Sequence, residues 1–165
     1  MITINSDGTV TGGTIKSPGN IIQSVSQSFD AYGSDGSGLR ADSSTYTDSG
    51  MEISITPTVS TSKILVISTG TSFGYKTSSD NVDYLMRLIA DHSGISTLEL
   101  RETEVRKTGE GSATSRLFDS WSMIANHDHN TTNEITYKVQ HKTSAATYAW
   151  ARYKGGDMHL LEIAT

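Results

Sequence analysis

Met51-Glu52-Ile53-Ser54-Ile55-Thr56-Pro57, followed after a short Ser/Thr-rich connection by Lys63-Ile64-Leu65-Val66-Ile67-Ser68, is the stretch whose reading decides the fold class. In its first half apolar and polar residues alternate, and a period of two places Met51, Ile53 and Ile55 on one face of a half-buried strand. Pro57 ends that strand, because it has no N–H to give to a ladder. In the second half four apolar residues run consecutively. That is the mark of a strand covered on both faces, at the centre of a sheet or sandwich.

Downstream, Val82, Tyr84, Met86 and Leu88 alternate in the same way, with Leu85 and Ile89 on the opposite face. Only here does helical spacing compete, since Leu85, Leu88 and Ile89 also satisfy i, i+3, i+4, but the alternation and the Gly-rich flanks favour a strand. A turn over 91–94 leads to Leu98 and Leu100, which alternate with Glu99 and Arg101. Leu117, Asp119, Trp121 and Met123 share one face of the next candidate, and Ile135, Tyr137 and Val139 one face of the strand beyond a His/Asn-rich loop. Tyr148, Trp150 and Arg152 follow. Lys154-Gly155-Gly156-Asp157 reads as a hairpin turn before a final apolar strand over 158–164.

Upstream, 21–29 reads as a strand and 31–44 as a long Gly/Ser/Asp-rich loop. Residues 1–19, with Ile2, Ile4, Asp7-Gly8, Gly12-Gly13 and Pro18-Gly19, read as a short extended N-terminal arm, and 20–165 as one domain. The sum is about eight or nine strands at roughly 8–12-residue spacing, which predicts an all-β chain folded as an antiparallel β-sandwich or jelly roll. No internal repeat of solenoid or propeller length is present.

Composition agrees. Ser and Thr make up more than a quarter of the 165 residues, with 15 Gly and two Pro, Pro18 and Pro57; Thr suits pleated strands, and Gly and Ser suit turns. There is no cysteine, which excludes disulfides, thiol nucleophiles and Cys-containing zinc sites. The formal charge of −5 is scattered rather than gathered in a tail, and it argues against nucleic acid as a partner. No apolar run reaches the roughly 18 residues of a membrane span, and 1–10 is too polar for a signal peptide, so no membrane partner is expected.

Five constellations could carry chemistry. Gly70-Thr71-Ser72-Phe73-Gly74 matches G-x-S-x-G, but the polar, unperiodic 75–80 is not the helix that a nucleophile elbow requires, so the match reads as a loop between strands. His127-Asp128-His129 places two imidazoles at i, i+2, a spacing that can grip zinc or nickel, most simply with symmetry mates; turn chemistry reads it as a solvated hairpin tip running into Asn130-Thr131-Thr132-Asn133. The stretch 30–42 offers oxygen donors without the spacing of a calcium loop. Glu99, Glu102 and Glu104, interspersed with Arg101 and Arg106, describe a charged exposed surface. Tyr148, Trp150 and Tyr153 could form a sugar-stacking shelf, but reading them as core or subunit contact is simpler. Neither enzyme activity nor a cofactor nor a bound metal is expected.

A segment of the form T-x-x-D-x-G-x-x-[VI]-x-I-T-P…S-x-S-K-I-L-V stands here as Thr45-Tyr46-Thr47-Asp48-Ser49-Gly50-Met51-Glu52-Ile53-Ser54-Ile55-Thr56-Pro57 and Ser60-Thr61-Ser62-Lys63-Ile64-Leu65-Val66. It resembles a structural module of tailed-bacteriophage virions, found in capsid-decoration proteins, head fibres and tail-fibre tips. Gly19-Asn20-Ile21-Ile22-Gln23, Tyr84-Leu85-Met86-Arg87-Leu88, Thr136-Tyr137-Lys138-Val139-Gln140 and Leu160-Leu161-Glu162-Ile163-Ala164 extend the likeness over 19–165. The resemblance implies a non-enzymatic β-sandwich that assembles as a homotrimer on the virion surface, made in the host cytoplasm. Its expected role is to decorate the phage head by binding the major capsid protein. The alternative is a fibre tip that recognises host surface glycan or protein through 31–44 and 109–115. In the decoration reading the arm anchors the protein by adding a strand to a capsid subunit's sheet edge, with Ile2, Ile4 and Val10 as apolar contacts and Gly12 and Gly13 as the hinge.

Overall fold

The computed structural model describes residues 3–4, 10–11, 18–30, 44–76, 82–92, 97–107, 115–144 and 149–165. Ten strands lie among them: β1 (Thr3–Ile4), β2 (Val10–Thr11), β3 (Ile21–Phe29), β4 (Thr47–Ile55), β5 (Lys63–Lys76), β6 (Val82–Asp91), β7 (Leu98–Lys107), β8 (Ser115–Asp128), β9 (Ile135–Thr143) and β10 (Ala149–Ile163). β1 and β2 pair with each other, Thr3 opposite Thr11 and Ile4 opposite Val10. The other eight form two four-stranded sheets, ordered β3-β10-β5-β8 and β4-β9-β6-β7, with every pairing antiparallel.

The connectivity is that of one long hairpin rolled up. β6 pairs with β7 at its tip, then β5 with β8, β4 with β9, and β3 with β10. Rolling the ribbon brings β10 beside β5 and β9 beside β6, which joins the four pairs into two sheets. This strand order makes the expected sandwich a jelly roll.

Alternation decides which residues meet between the sheets. Met51, Ile53 and Ile55 of β4 are buried as the period of two predicts, and Ile135, Tyr137 and Val139 of β9 join them. From the facing sheet come Ile64 and Val66 of β5, Trp121 and Met123 of β8, and Met158 and Leu160 of β10. The 82–91 window is a strand, with Tyr84, Met86 and Leu88 buried. Ile89 is buried too, although it pairs with Lys138 on the outer face and lies outside the core cluster; the β6–β7 register slips beside it, with Leu100 of β7 as the extra residue. A bulge between Asp48 and Met51 accommodates Ser49 and Gly50. Gly50 sits there at φ 82°, a conformation that costs glycine little, and Ser49 Oγ donates to Val139 O at 2.6 Å.

Three expectations are corrected. Gly155-Gly156 is not a hairpin turn: β10 runs straight through it, with a bulge against β5 between Tyr153 and Gly155. A Cβ on Gly156 would lie 2.1 Å from Thr69 O, so the glycine marks close backbone approach, the other use of glycine in a strand. Gly70–Gly74 is not a loop but the interior of β5, where Ser72 is buried. β5 is central, as expected, between β10 and β8, but only one of its faces is fully covered: Ile64 and Val66 are buried, whereas Leu65 and Ile67 are half-exposed on the outside.

Candidate functional site

The closing strand conceals a carboxylate. Parity along β10 puts Glu162 on the core face with Met158 and Leu160, and it is fully buried. A buried carboxylate is tolerable only when donors fill its lone pairs, and the β4–β5 connection folds around this one. The Thr58 N–H lies 3.0 Å from both oxygens, the Val59 N–H donates at 3.0 Å, and Ser62 Oγ donates at 2.6 Å. Gln23 Nε2, from β3, donates at 2.7 Å. Burial pushes the carboxyl up, but the donors Ser62, Thr58, Gln23 and Val59 outweigh it and hold Glu162 below the usual carboxylate range.

Ser62 also touches His129 Nε2 at 3.2 Å, and His129 Nδ1 lies 2.8 Å from Thr131 O. Serine, histidine and glutamate together suggest a nucleophilic triad, but the order is wrong. A relay needs the imidazole between serine and carboxylate, whereas Ser62 contacts Glu162 directly, and all three side chains are buried. The arrangement clamps the β4–β5 connection to the end of β10.

The reading of His127-Asp128-His129 as a solvated tip is overturned. Only Asp128 faces out, where it pairs with Lys63 at 3.2 Å; His127 and His129 are 5% and 2% exposed, because His127 on β8 has the parity of Trp121 and Met123 and His129, just past the strand end, continues it. His127 Nδ1 is bonded to Tyr137 Oη at 2.8 Å, a contact that ties the two sheets together. Burial, then the neighbouring His129 and His92, lower His127 to about 4, against the charge of Asp128. His92, remote in sequence, is thus brought beside His127, and with Leu98 and the 128–131 turn these histidines line a cleft of about 330 Å³. Both nitrogens of His129 are engaged, and among the described residues no three His, Asp or Glu side chains are placed to hold a metal ion.

A second buried pair joins His141 Nδ1 to Tyr84 Oη at 2.8 Å. Burial lowers His141 to about 4, with Asp48 opposing. Sequence reasoning did not single out His141, Ser62 or Glu162. The signal was available in their parity, since His141 falls in step with Tyr137 and Val139, and Glu162 with Met158 and Leu160.

The outer face of β4-β9-β6-β7 carries charges. The Tyr46 ring lies between Arg87 and Lys142, whose cationic groups sit 4.1 Å and 4.3 Å from its centroid. Its hydroxyl donates to Glu102. Burial, then the Glu102 bond and the charges of Glu102 and Glu99, raise the Tyr46 phenol well above its ordinary value, against Arg87. Arg87 forks onto Gln140 Oε1 at 2.9 Å and 2.7 Å and reaches Glu99 at 3.1 Å. Gln140 Nε2 in turn donates to Asp48 at 2.7 Å. Glu99, Glu102 and Glu104 are exposed, as expected of a charged surface.

Of the arm residues, Ile4 and Val10 are paired backbone positions of the β1–β2 ribbon, while Ile2, Gly12 and Gly13 lie outside the described residues, as do 31–43, 108–114, Tyr148 and the side chains of Ile4, Val10, Trp150 and Tyr153.

No protein-family model matches the chain, and no curated protein matches it. Among solved structures, a chain from the structure of infectious bursal disease virus, Gx strain, aligns with 87% of this chain at 13% identity and a TM-score of 0.36. One from the Gt strain aligns with 85% at 12% identity and a TM-score of 0.37. This chain spans 33% and 32% of the length of those chains. A likeness at this level carries no function across.

Proposed function

We propose that the chain is a structural, non-enzymatic component of a virus particle: a capsid-decoration protein, of cement or head-fibre type, that binds the outside of a tailed-phage head as a homotrimer. The observation that carries this reading is where the motif residues go. Asp48 accepts from Gln140, Ser62 donates to Glu162, and Tyr137 is bonded to His127. The residues that resemble the phage module therefore build the jelly roll, which is what a scaffold's shared sequence is for.

The major capsid protein is the proposed partner and the virion surface the proposed location, with the 1–19 segment, including Ile4 and Val10, as the anchor. The test is to label the protein in intact particles and image it. Density spread over the head is the expected outcome, and deletion of 1–19 should abolish it. Density confined to the tail would replace this reading with that of a fibre tip.

A further inference from the structure

The outer face of β3-β10-β5-β8 carries an apolar stripe that the described residues leave open. Register fixes its layout: Ile21 lies beside Ile163, Leu161 beside Leu65, and Ile67 beside Ile124. These pairs step diagonally from β3 across β10 and β5 to β8. Ile21 and Ile124 are 60% and 58% exposed, and the other four are half-buried. Around them stand Ser24, Ser26, His159, Thr69, Ser122 and Asn126. Among the described residues formal charge stands at the ends of the face, where Lys63, beside Ile163, pairs with Asp128 at 3.2 Å and Asp157 accepts from Ser28 at 2.6 Å.

We propose that this stripe is the contact between copies of the chain. Each copy carries a formal charge of −5, so copies repel one another unless they meet on neutral ground. The opposite outer face is unsuited, since it presents Glu52, Asp91, Glu99 and Glu102 among its cations. The stripe has the anatomy of an interface, an apolar centre depleted of charge inside a polar rim. Four strands at ~4.8 Å spacing and nine residues at ~3.3 Å give a face on the order of 600 Å². That approaches the ~800 Å² per partner of a standard interface. The inference also accounts for the run Ile64-Leu65-Val66-Ile67, whose outer half has no cover among the described residues. It rests on the self-association in the proposed function and not on the virion location.

The chain has no cysteine, so single cysteines report cleanly. Ile124→Cys probes the stripe and Glu52→Cys, exposed on the opposite sheet, is the control. Maleimide labelling is followed across protein concentration, beside sedimentation of wild type and Ile124→Asp. The expected result is that labelling at position 124 slows by roughly tenfold or more as copies assemble, while position 52 is unaffected. Ile124→Asp should sediment as a single chain and melt where dilute, dissociated wild type melts. Labelling at 124 that ignores concentration, a wild type that stays monomeric at high concentration, or an Ile124→Asp assembly of unchanged mass would each overturn the proposal. None of these bears on the particle imaging: a monomeric wild type would remove the homotrimer as well, an assembly of unchanged mass in Ile124→Asp would remove the stripe alone, and the virion location fails separately from both.

Discussion

Two polar networks in this protein use similar side chains in opposite surroundings. Around Glu162, three donors besides the backbone reach a carboxylate with no exposure at all, and two chain segments depend on it for their shape. Around Arg87, a guanidinium, a glutamine and carboxylates make an equally connected set, but the Arg87 and Glu99 side chains remain 27% and 45% exposed. In the first, each lost partner leaves a desolvated group behind; in the second, water replaces it. Hydrogen-bond number therefore says little about which network holds the fold, and burial decides.

The largest expected effect separates the two networks directly. Glu162→Ala leaves the Thr58 and Val59 N–H groups without the carboxylate they donate to, while the Ser62 hydroxyl keeps Val59 O at 2.6 Å, and should cost about 3–5 kcal/mol, read as a lowered denaturation midpoint; a loss under about 1 kcal/mol would erase the contrast.

Acid is the next probe, because the same core holds two buried histidines bonded to tyrosines. His127 and His141 titrate near 4 in the folded chain against 6.5 ordinarily, so between those values the unfolded chain binds more protons. Stability should be full above pH 6.5, fall as the pH drops towards 4, and level off below, by on the order of 3 kcal/mol per histidine. Glu162, whose carboxyl is lowered, adds its loss only as the pH falls below its ordinary 4.5. Calorimetric melting temperatures across this range check the slope, and His141→Gln should remove about half of its histidine part.

Tyr137→Phe sharpens the comparison within the core. It removes the hydroxyl that links the sheets through His127 and should cost about 1–2 kcal/mol. Chemical denaturation would register that as a shift in midpoint without a change in slope. The smallest effect belongs to the exposed network: Arg87→Ala should cost less than about 1 kcal/mol and lose most of that in high salt, a dependence that Glu162→Ala should lack.

Much of the jelly roll was legible because strand parity is a local property. Met51, Ile53 and Ile55, or Ile135, Tyr137 and Val139, can be assigned to one face without knowing what they face. Where reading failed, a residue had two local meanings. Gly155-Gly156 has the composition of a turn, and only the Thr69 carbonyl 2.1 Å from where a Cβ would stand makes it a point of strand approach instead. His127 and His129 sit next to turn-forming residues and looked solvated, but parity with Met123 was the better guide.

The sequence by itself determined the class of the protein, because alternation, Pro57 and the Ser/Thr-rich composition act through neighbours along the chain. It also held the inward parity of Glu162 and His141 without revealing their partners. Only the tertiary structure decided that Ser62 and Gln23 meet Glu162, that His92 lies near His127, and that Leu65, Ile67 and Ile124 align on one open face. Those meetings depend on strand order and register, which arise when β3 to β6 fold back on β7 to β10, and pairings so distant in sequence leave no local pattern to read.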